Sequence, residues 1–235
     1  MGLFGFLKRE KYTPDGIKVP KEGEPEYRPF EVVETEKGDY KDFLDLILKH
    51  SVIVLITGKR GSGKTALGMK LLELYNKKTR KKCHAIGFEK AKLPRWIKKE
   101  SDIEKTPNNS VVLVDEGGVT FSARDAMKAS NKFLSKMMAV ARHRGLSLLL
   151  ISQNSSLIEL NVLRLGDVVL LKEPSLLQAK FERKAIREMY EQIKPKFTAL
   201  KERKKYFYVW ADEFQGLVES GLPEFWSEKI SKSFG

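Results

Sequence analysis

Short apolar runs alternate along this chain with segments in which apolar residues recur at helical spacing. The apolar runs cover 51–57, 84–88, 110–116, 146–152 and 166–173. A continuous apolar and β-branched run of this length is typical of a strand that is buried on both faces of a parallel sheet. Helical spacing is found in 40–50, 64–75 and 124–143. The alternation predicts an α/β fold, in which helices cover both faces of a mostly parallel sheet.

The two ends of the chain depart from this alternation. Residues 1–40 carry prolines among interleaved charges, which predicts an extended N-terminal arm. Residues 41–235 are predicted to form one domain, with its core at 51–174 and a basic helical segment followed by a strand and a helix in 175–235. The helix in this last segment is predicted to end at or near Pro195, because proline disrupts a helix interior.

Composition narrows the class of protein. No apolar run approaches the roughly 18 residues that are needed to span a bilayer. The first residues match neither a signal peptide nor a myristoylation pattern. Cys83 is the only cysteine, which excludes an intrachain disulfide and makes a reducing cytoplasm the expected compartment.

The charge of the chain is strongly positive. Lys and Arg number 44 against 31 Asp and Glu, which leaves a net charge of +13 at pH 7. Such an excess attracts polyanions, and nucleic acid is the first candidate. A Lys- and Glu-rich surface that serves solubility or heat stability is the alternative, and charge alone does not separate the two.

The turn after the first apolar run carries a specific motif. GKRGSGKT (58–65) has the pattern G-x-x-x-x-G-K-[ST] between a predicted strand and a predicted helix. Glycines in such a loop let backbone N–H groups surround phosphate oxygens, and the helix N-terminus adds further donors. Lys64 is expected to reach the β and γ phosphates, and the Thr65 hydroxyl to coordinate Mg²⁺. The predicted site for ATP with Mg²⁺ consists of Gly58, Lys59, Arg60, Gly61, Ser62, Gly63, Lys64 and Thr65.

Two acidic residues end the third apolar run. Asp115 is expected to hold Mg²⁺, and Glu116 to orient and deprotonate an attacking water. The alternative is that both carboxylates only cap the end of a strand. Asp212 and Glu213 form a second acidic pair, which ranks lower because no phosphate-binding motif accompanies it.

The fourth apolar run ends in polar residues that include Gln153. A neutral amide donates and accepts hydrogen bonds, and it therefore suits a group that senses the γ phosphate beside the attacking water. A simple strand-end cap is the alternative.

Three lysines recur every four residues in the predicted helix after the acidic pair. Lys128, Lys132 and Lys136 therefore lie along one face of that helix. They are the predicted contacts to double-stranded DNA, through backbone phosphates and without sequence reading. A solvated helix face is the alternative, and basic residues also cluster at 77–82 and 172–205.

Together these motifs resemble the FtsK/HerA superfamily of P-loop NTPases, which belongs to the RecA-like, additional-strand branch with a catalytic glutamate (ASCE). The diagnostic string is ARHRGLSLLLISQN (141–154), and the resemblance covers 51–174. The members that look most similar are small genome-packaging ATPases of archaeal viruses, plasmid-transfer ATPases and Zot-like proteins.

The resemblance implies a ring, usually hexameric, that translocates double-stranded DNA and works with a capsid or membrane partner. It assigns Walker A to Lys64 and Thr65, Walker B to Asp115 and Glu116, the polar sensor to Gln153 and an arginine finger to Arg142. Such a finger acts on the nucleotide of the neighbouring subunit. Arg144 and Arg124 are alternative fingers.

Other functions remain open at this point. A nucleotide-dependent assembly protein or a membrane-associated Zot-like ATPase is the main alternative, and a small-molecule kinase is a weaker one. Lys59 also gives a superficial likeness to partition ATPases, which carry an extra lysine at the start of the loop.

Overall fold

A computed structural model describes residues 10–19, 27–115, 126–152, 165–174 and 184–232, with the backbone alone at 126–131, 185, 229 and 232. The strands are β1 (Phe30–Gly38), β2 (Ile53–Thr57), β3 (Cys83–Ile86), β4 (Ile97–Lys99), β5 (Val111–Asp115), β6 (Ser147–Ile151), β7 (Val168–Leu171), β8 (Tyr206–Trp210) and β9 (Phe214–Ser220). The helices are α1 (Tyr40–Lys49), α2 (Lys64–Lys78), α3 (Ala126–Arg144), α4 (Lys184–Thr198) and α5 (Glu228–Lys232), with short 3-10 helices at Ile103–Lys105 and Arg203–Lys205. Within the described part of the chain, no helix has the length and apolar character needed to cross a membrane.

The nine strands of the described residues belong to one sheet, in the order β1-β9-β8-β7-β2-β6-β5-β3-β4. Six neighbouring strands are parallel to one another, namely β7, β2, β6, β5, β3 and β4. Strands β8, β9 and β1 extend the sheet with antiparallel pairs. The predicted α/β class with a mostly parallel sheet is therefore confirmed.

Two apolar layers pack against the two faces of this sheet. On one face, Val54 and Ile56 of β2 lie in a buried cluster with residues of α1 and α2. On the other face, Ile53 and Leu55 of the same strand lie in a cluster with residues of α3 and α4. Because successive side chains of a strand point to opposite faces, a strand covered on both sides has to be apolar throughout. This is the pattern that identified β2 in the sequence.

The predicted N-terminal arm is wrong from Phe30 onward. Residues Phe30–Gly38 form β1, an edge strand that pairs antiparallel with β9. Only Phe30 of this strand is buried, so β1 has no apolar run that local pattern could reveal. Its partner is also far away in sequence, and the pairing cannot be inferred from neighbouring residues.

The helix predicted to end at or near Pro195 continues through this proline and ends at Thr198. The buried residues Ile186, Tyr190, Ile193 and Phe197 follow helical spacing to the last turn. Proline lacks the N–H that would bond to the preceding turn. Burial of Phe197 beyond this point stabilises the helix against that loss.

The direction of the strands defines two ends of the sheet. The carboxyl end is where the parallel strands finish and where residues 58–65, here called the phosphate loop, follow β2. Because β8 is antiparallel to β7, the 3-10 helix Arg203–Lys205 that precedes β8 lies at the carboxyl end. Asp212 and Glu213, which follow β8, lie at the opposite, amino end. The second acidic pair is therefore separated from the phosphate loop by the length of the strands.

The pairing of β1 with β9 can be tested at Gly216, which lies opposite Thr35. A Cβ at Gly216 would lie 2.2 Å from the backbone oxygen of Glu34. Because that oxygen cannot move without breaking the pairing, we expect Gly216→Ala to lower the free energy of unfolding by about 2 kcal/mol or more in urea denaturation. Gly221→Ala is the control, since a Cβ there has no atom within 4 Å. Equal stability of the two variants would contradict the described contact between β1 and β9.

Candidate nucleotide-binding site

The phosphate loop connects the end of β2 to the start of α2. Gly58 has a φ of 143° and Gly63 a φ of 92°, and side-chain-bearing residues rarely adopt such values. Gly63 occupies the N-cap of α2 without a side-chain capping bond, and the first turn of the helix contains no acidic residue. The first N–H groups of a helix have no partner within the helix. This geometry matches an anion-binding site at a helix N-terminus.

The ammonium of Lys64 lies inside this loop. Its Nζ donates to the carbonyl oxygens of Gly58 at 2.8 Å and Lys59 at 3.1 Å. Lys64 is only 7% exposed, and burial lowers its pKa, while the charge of Asp115 acts in the opposite direction. A buried cation is stabilised by opposite charge. The phosphates of a nucleotide bound in the loop would supply that charge.

Ser62 gives a second indication that the loop fits an anion. Its hydroxyl is fully buried, and its Oγ makes no hydrogen bond to any atom of the described residues. Buried polar atoms almost always have a partner, because an unsatisfied hydroxyl costs free energy. A phosphate oxygen in the loop would accept this hydrogen bond.

Asp115 lies at the same end of the sheet as the phosphate loop. It is the last residue of β5 and is 7% exposed, and its charge raises the pKa of Lys64. One strand, β6, lies between β2 and β5 in the sheet. The loop and Asp115 are therefore brought together.

The donors at this end fit Mg²⁺ bound together with a nucleotide. Mg²⁺ prefers oxygen ligands and is commonly held by one or two protein oxygens, with phosphate and water completing its shell. Thr65, in the first turn of α2, and Asp115 are oxygen donors of this kind. Among the described residues, no group of three or more His, Cys, Asp or Glu is arranged to bind a metal by itself.

Several predicted site residues lie outside the described residues. Glu116 directly follows Asp115, and Gln153 directly follows Ser152 after β6. Both roles stay predictions, as does that of Arg124. For Lys128 the structure gives the backbone alone.

Arg142 lies at the other end of the sheet from the phosphate loop. Its Nη2 donates to the carbonyl oxygen of Leu165 at 2.7 Å and lies 3.8 Å from Oδ1 of Asp167. The other oxygen of Asp167 accepts a hydrogen bond from the N–H of Ile53, the first residue of β2. Arg142 is therefore held at the amino end of the strands. Arg144 donates to Asn108 and to the Glu104 carbonyl near this end.

The predicted DNA-binding lysines differ in their surroundings. Lys132 is exposed. Lys136 forms ion pairs with Asp102 at 3.2 Å and Glu104 at 3.1 Å, and these carboxylates raise its pKa. Part of the positive charge of the predicted lysine face is thus compensated within the chain.

The sequence did not predict the hydrogen bonds and ion pairs that hold the phosphate loop to the residues after β7. The N–H of Lys172 donates to Thr57 O at 2.8 Å, and the N–H of Lys59 donates to Glu173 O at 2.9 Å. The Glu173 carboxylate also pairs with Lys59 at 2.7 Å and Arg203 at 3.0 Å. The available signal was the charged pair at the end of the fifth apolar run, but the sequence alone does not show that β7 lies beside β2.

Comparison with known proteins gives a family and similar folds. The family model described as Novel STAND NTPase 3 matches residues 33–173. A search of curated proteins found no match.

Two solved structures illustrate the similarity of fold. The conjugation coupling protein TcpA of pCW3, solved as a monomer with ATPγS, is 13% identical, with a TM-score of 0.53 over 94% of this chain and 74% of that chain. The genome packaging NTPase B204 of Sulfolobus turreted icosahedral virus 2, solved with ATPγS, is 15% identical, with a TM-score of 0.46 over 74% of this chain and 98% of that chain. At 13% identity the likeness to the coupling protein concerns the fold alone, and at that level the predicted resemblance is confirmed.

The role of Lys64 can be separated from any effect on folding. We expect Lys64→Ala to weaken nucleotide binding by about a hundredfold or more, because the variant removes the charge that reaches the phosphates. Titration with a fluorescent ATP analogue measures the affinity, and urea denaturation measures the free energy of unfolding, which we expect to change little. Lys98→Ala, which removes an exposed lysine on β4, is the control. Nearly unchanged affinity in Lys64→Ala would contradict the assignment of the loop.

Proposed function

The chain belongs to the Novel STAND NTPase 3 family, and on this premise we propose that it is a ring-forming ATPase that translocates double-stranded DNA. The observation that carries the proposal is the convergence of the glycine-containing phosphate loop, buried Lys64 and Asp115 at one end of the sheet. These are the parts that phosphoryl transfer to water requires on the protein side.

The proposed reaction is hydrolysis of ATP with Mg²⁺. When bound, Mg²⁺ would supply positive charge that neutralises charge developing on the phosphates. Thr65 and Asp115 would hold it, while Lys64 and the N–H groups of the loop bind the phosphates. Glu116 is proposed to orient and deprotonate the attacking water. Gln153 is proposed to contact the γ phosphate beside that water.

Three observations support DNA as the polymer that is moved. The net charge of +13 favours a polyanionic partner. Helix α3 carries Lys132 on its exposed surface and begins at the carboxyl end, after the acidic pair. The chain shares its fold with a conjugation coupling protein. We propose that it works in the cytoplasm as a ring, with six subunits as the expected number, and delivers DNA to a capsid or membrane partner.

The competing proposal is that hydrolysis drives assembly, as in Zot-like or membrane-associated NTPases. Such a protein needs the same phosphate loop but no DNA-contacting lysine face. A DNA translocase is expected to hydrolyse ATP faster when DNA occupies it, whereas a small-molecule kinase is indifferent to DNA.

Duplex DNA is expected to stimulate ATP hydrolysis by the wild-type protein, and stimulation should fall steeply between about 50 and about 200 mM salt, because phosphate contacts release counterions. Replacing Lys128, Lys132 and Lys136 with alanine should reduce the stimulation and flatten its salt dependence. The control replaces Lys41, Lys49 and Lys77, which are exposed lysines of α1 and α2 on the other face.

The outcomes separate the proposals. If both triple variants lose the same amount of DNA stimulation, the DNA contact does not lie on α3. Hydrolysis that ignores DNA but rises with protein concentration would favour nucleotide-driven assembly over translocation.

The arginine finger gives a test of the ring itself. Because a finger acts on the neighbouring subunit, we expect Arg142→Ala to bind ATP with nearly unchanged affinity but to hydrolyse it about a thousandfold more slowly. Glu116→Gln should also bind ATP without turnover. Mixing the two inactive proteins should restore part of the activity, since some interfaces of a mixed ring pair an intact Glu116 with an intact Arg142.

Arg144→Ala is the matched control, because it removes a neighbouring guanidinium from the same helix end. Each arginine variant is mixed with Glu116→Gln. If ATP hydrolysis recovers with Arg144→Ala and not with Arg142→Ala, the arginine finger is Arg144. Absence of recovery for both, together with specific activity independent of protein concentration, would contradict the ring and leave a monomeric NTPase.

A further inference from the structure

The side chain of Lys172 packs against the phosphate loop. Lys172 directly follows β7, its side chain is almost completely buried, and its Cβ lies 2.7 Å from the position that a Cβ of Gly58 would take. At its other end, the ammonium lies 3.9 Å from the corresponding position at Gly63. The side chain of Lys172 therefore runs from the beginning of the loop to the N-cap of α2.

The ammonium of Lys172 also connects the loop to the chain segment before β8 through a hydrogen bond. Its Nζ donates to the carbonyl oxygen of Lys204 at 2.6 Å, and this carbonyl lies 3.5 Å from the Cβ position of Gly63. Lys204 belongs to the 3-10 helix Arg203–Lys205. One side chain thus contacts the loop, the N-terminus of α2 and this 3-10 helix.

The charged groups around Lys172 leave an excess of positive charge. They are Glu173 beside it, Lys59 and Lys64 of the phosphate loop with Asp115 acting on Lys64, and Glu202, Arg203, Lys204 and Lys205 around the 3-10 helix. Glu173 is already paired with Lys59 and Arg203, and Glu202 with Lys205. The buried ammonium groups of Lys64 and Lys172 therefore lie at the loop with less negative charge than they need, and a polyphosphate would supply the difference.

We propose that Lys172 is a positioning residue for nucleotide binding, which places buried positive charge behind the phosphate loop and fastens that loop to the 3-10 helix Arg203–Lys205. The inference rests on the proposed binding of ATP at this loop. Lys172 acts through the loop backbone and through its charge.

Nucleotide binding is expected to be coupled to the uptake of a proton by the protein. Burial lowers the pKa of Lys172 to about 7, and Glu173 opposes this effect only in part. At pH 8 the side chain is therefore mostly neutral in the nucleotide-free protein. Phosphates bound in the loop favour the charged form and raise this pKa. Binding then takes up a proton above pH 7, and by linkage the affinity falls about fivefold from pH 7 to pH 8.

Calorimetric titration at pH 8 with Mg²⁺ and a non-hydrolysable ATP analogue tests the proton uptake. The number of protons taken up is obtained by repeating the titration in buffers of different ionisation enthalpy. The wild-type protein should take up about 0.5 to 1 proton. Lys172→Met should lose most of this uptake and bind several-fold more weakly at pH 7. Lys172→Arg keeps the positive charge, so it should retain tight binding at pH 8, take up little or no proton and show a flat pH profile between 7 and 8.

Lys81 provides a matched control. Burial also lowers its pKa, to about 8, but its Nζ donates to His50 O and Ser147 Oγ at the amino end. Lys81→Met should therefore keep the proton uptake of the wild type. Wild-type binding without proton uptake, or unchanged uptake in both Lys172 variants, would overturn the role of Lys172. Absence of any nucleotide binding by the wild-type protein would instead contradict the proposed function.

Discussion

The phosphate loop depends on the backbone ladder between β2 and β7, which continues past the end of both strands. The N–H of Lys172 bonds to Thr57 O, and the N–H of Lys59 bonds to Glu173 O. This close approach requires a residue without Cβ at Gly58, since a Cβ would lie 2.7 Å from that of Lys172. The position of the loop is thus set by the sheet. The apolar layers on both faces of the sheet fix the strands, and through this ladder they also fix the loop.

The same end of the sheet carries buried polar groups that a bound anion would stabilise further. The ammonium groups of Lys64 and Lys172 are buried, and burial lowers the pKa of both. The Ser62 hydroxyl is buried without a hydrogen-bond partner among the described residues. Among the described residues, His84 Nε2 and Ser110 Oγ are also buried without a hydrogen-bond partner, whereas Glu73 accepts from Lys70 and from the N–H of Glu224. Unsatisfied groups cost stability and are commonly retained where a ligand completes them. Two buried ammonium groups beside an unsatisfied hydroxyl at the loop are a physical reason to expect an anion there.

The sequence predicts the parts of this architecture that local patterns encode. The apolar runs identify β2, β5, β6 and β7, and the glycine motif identifies the loop, because each pattern lies within a few consecutive residues. The antiparallel extension is different. Exposed β1 and its distant partner β9 have no apolar run of the buried kind, and the contact of Lys172 with Lys204 requires knowing that β8 is antiparallel to β7. Residues that act through long-range packing are therefore the ones that sequence reasoning missed.

The two ends of the sheet limit what Arg142 can do. Strand β2 has five residues, and at about 3.3 Å per residue it separates its two ends by about 16 Å. Arg142 is bound near the first residue of β2, through Leu165 and Asp167, whereas the phosphate loop follows the last. An arginine side chain does not span this distance, and the buried sheet lies between. A contribution of Arg142 to hydrolysis therefore requires the nucleotide of another subunit, and it requires an interface that joins the amino end of one sheet to the carboxyl end of the next. Contacts of this head-to-tail type close into rings when the rotation between subunits divides a full turn.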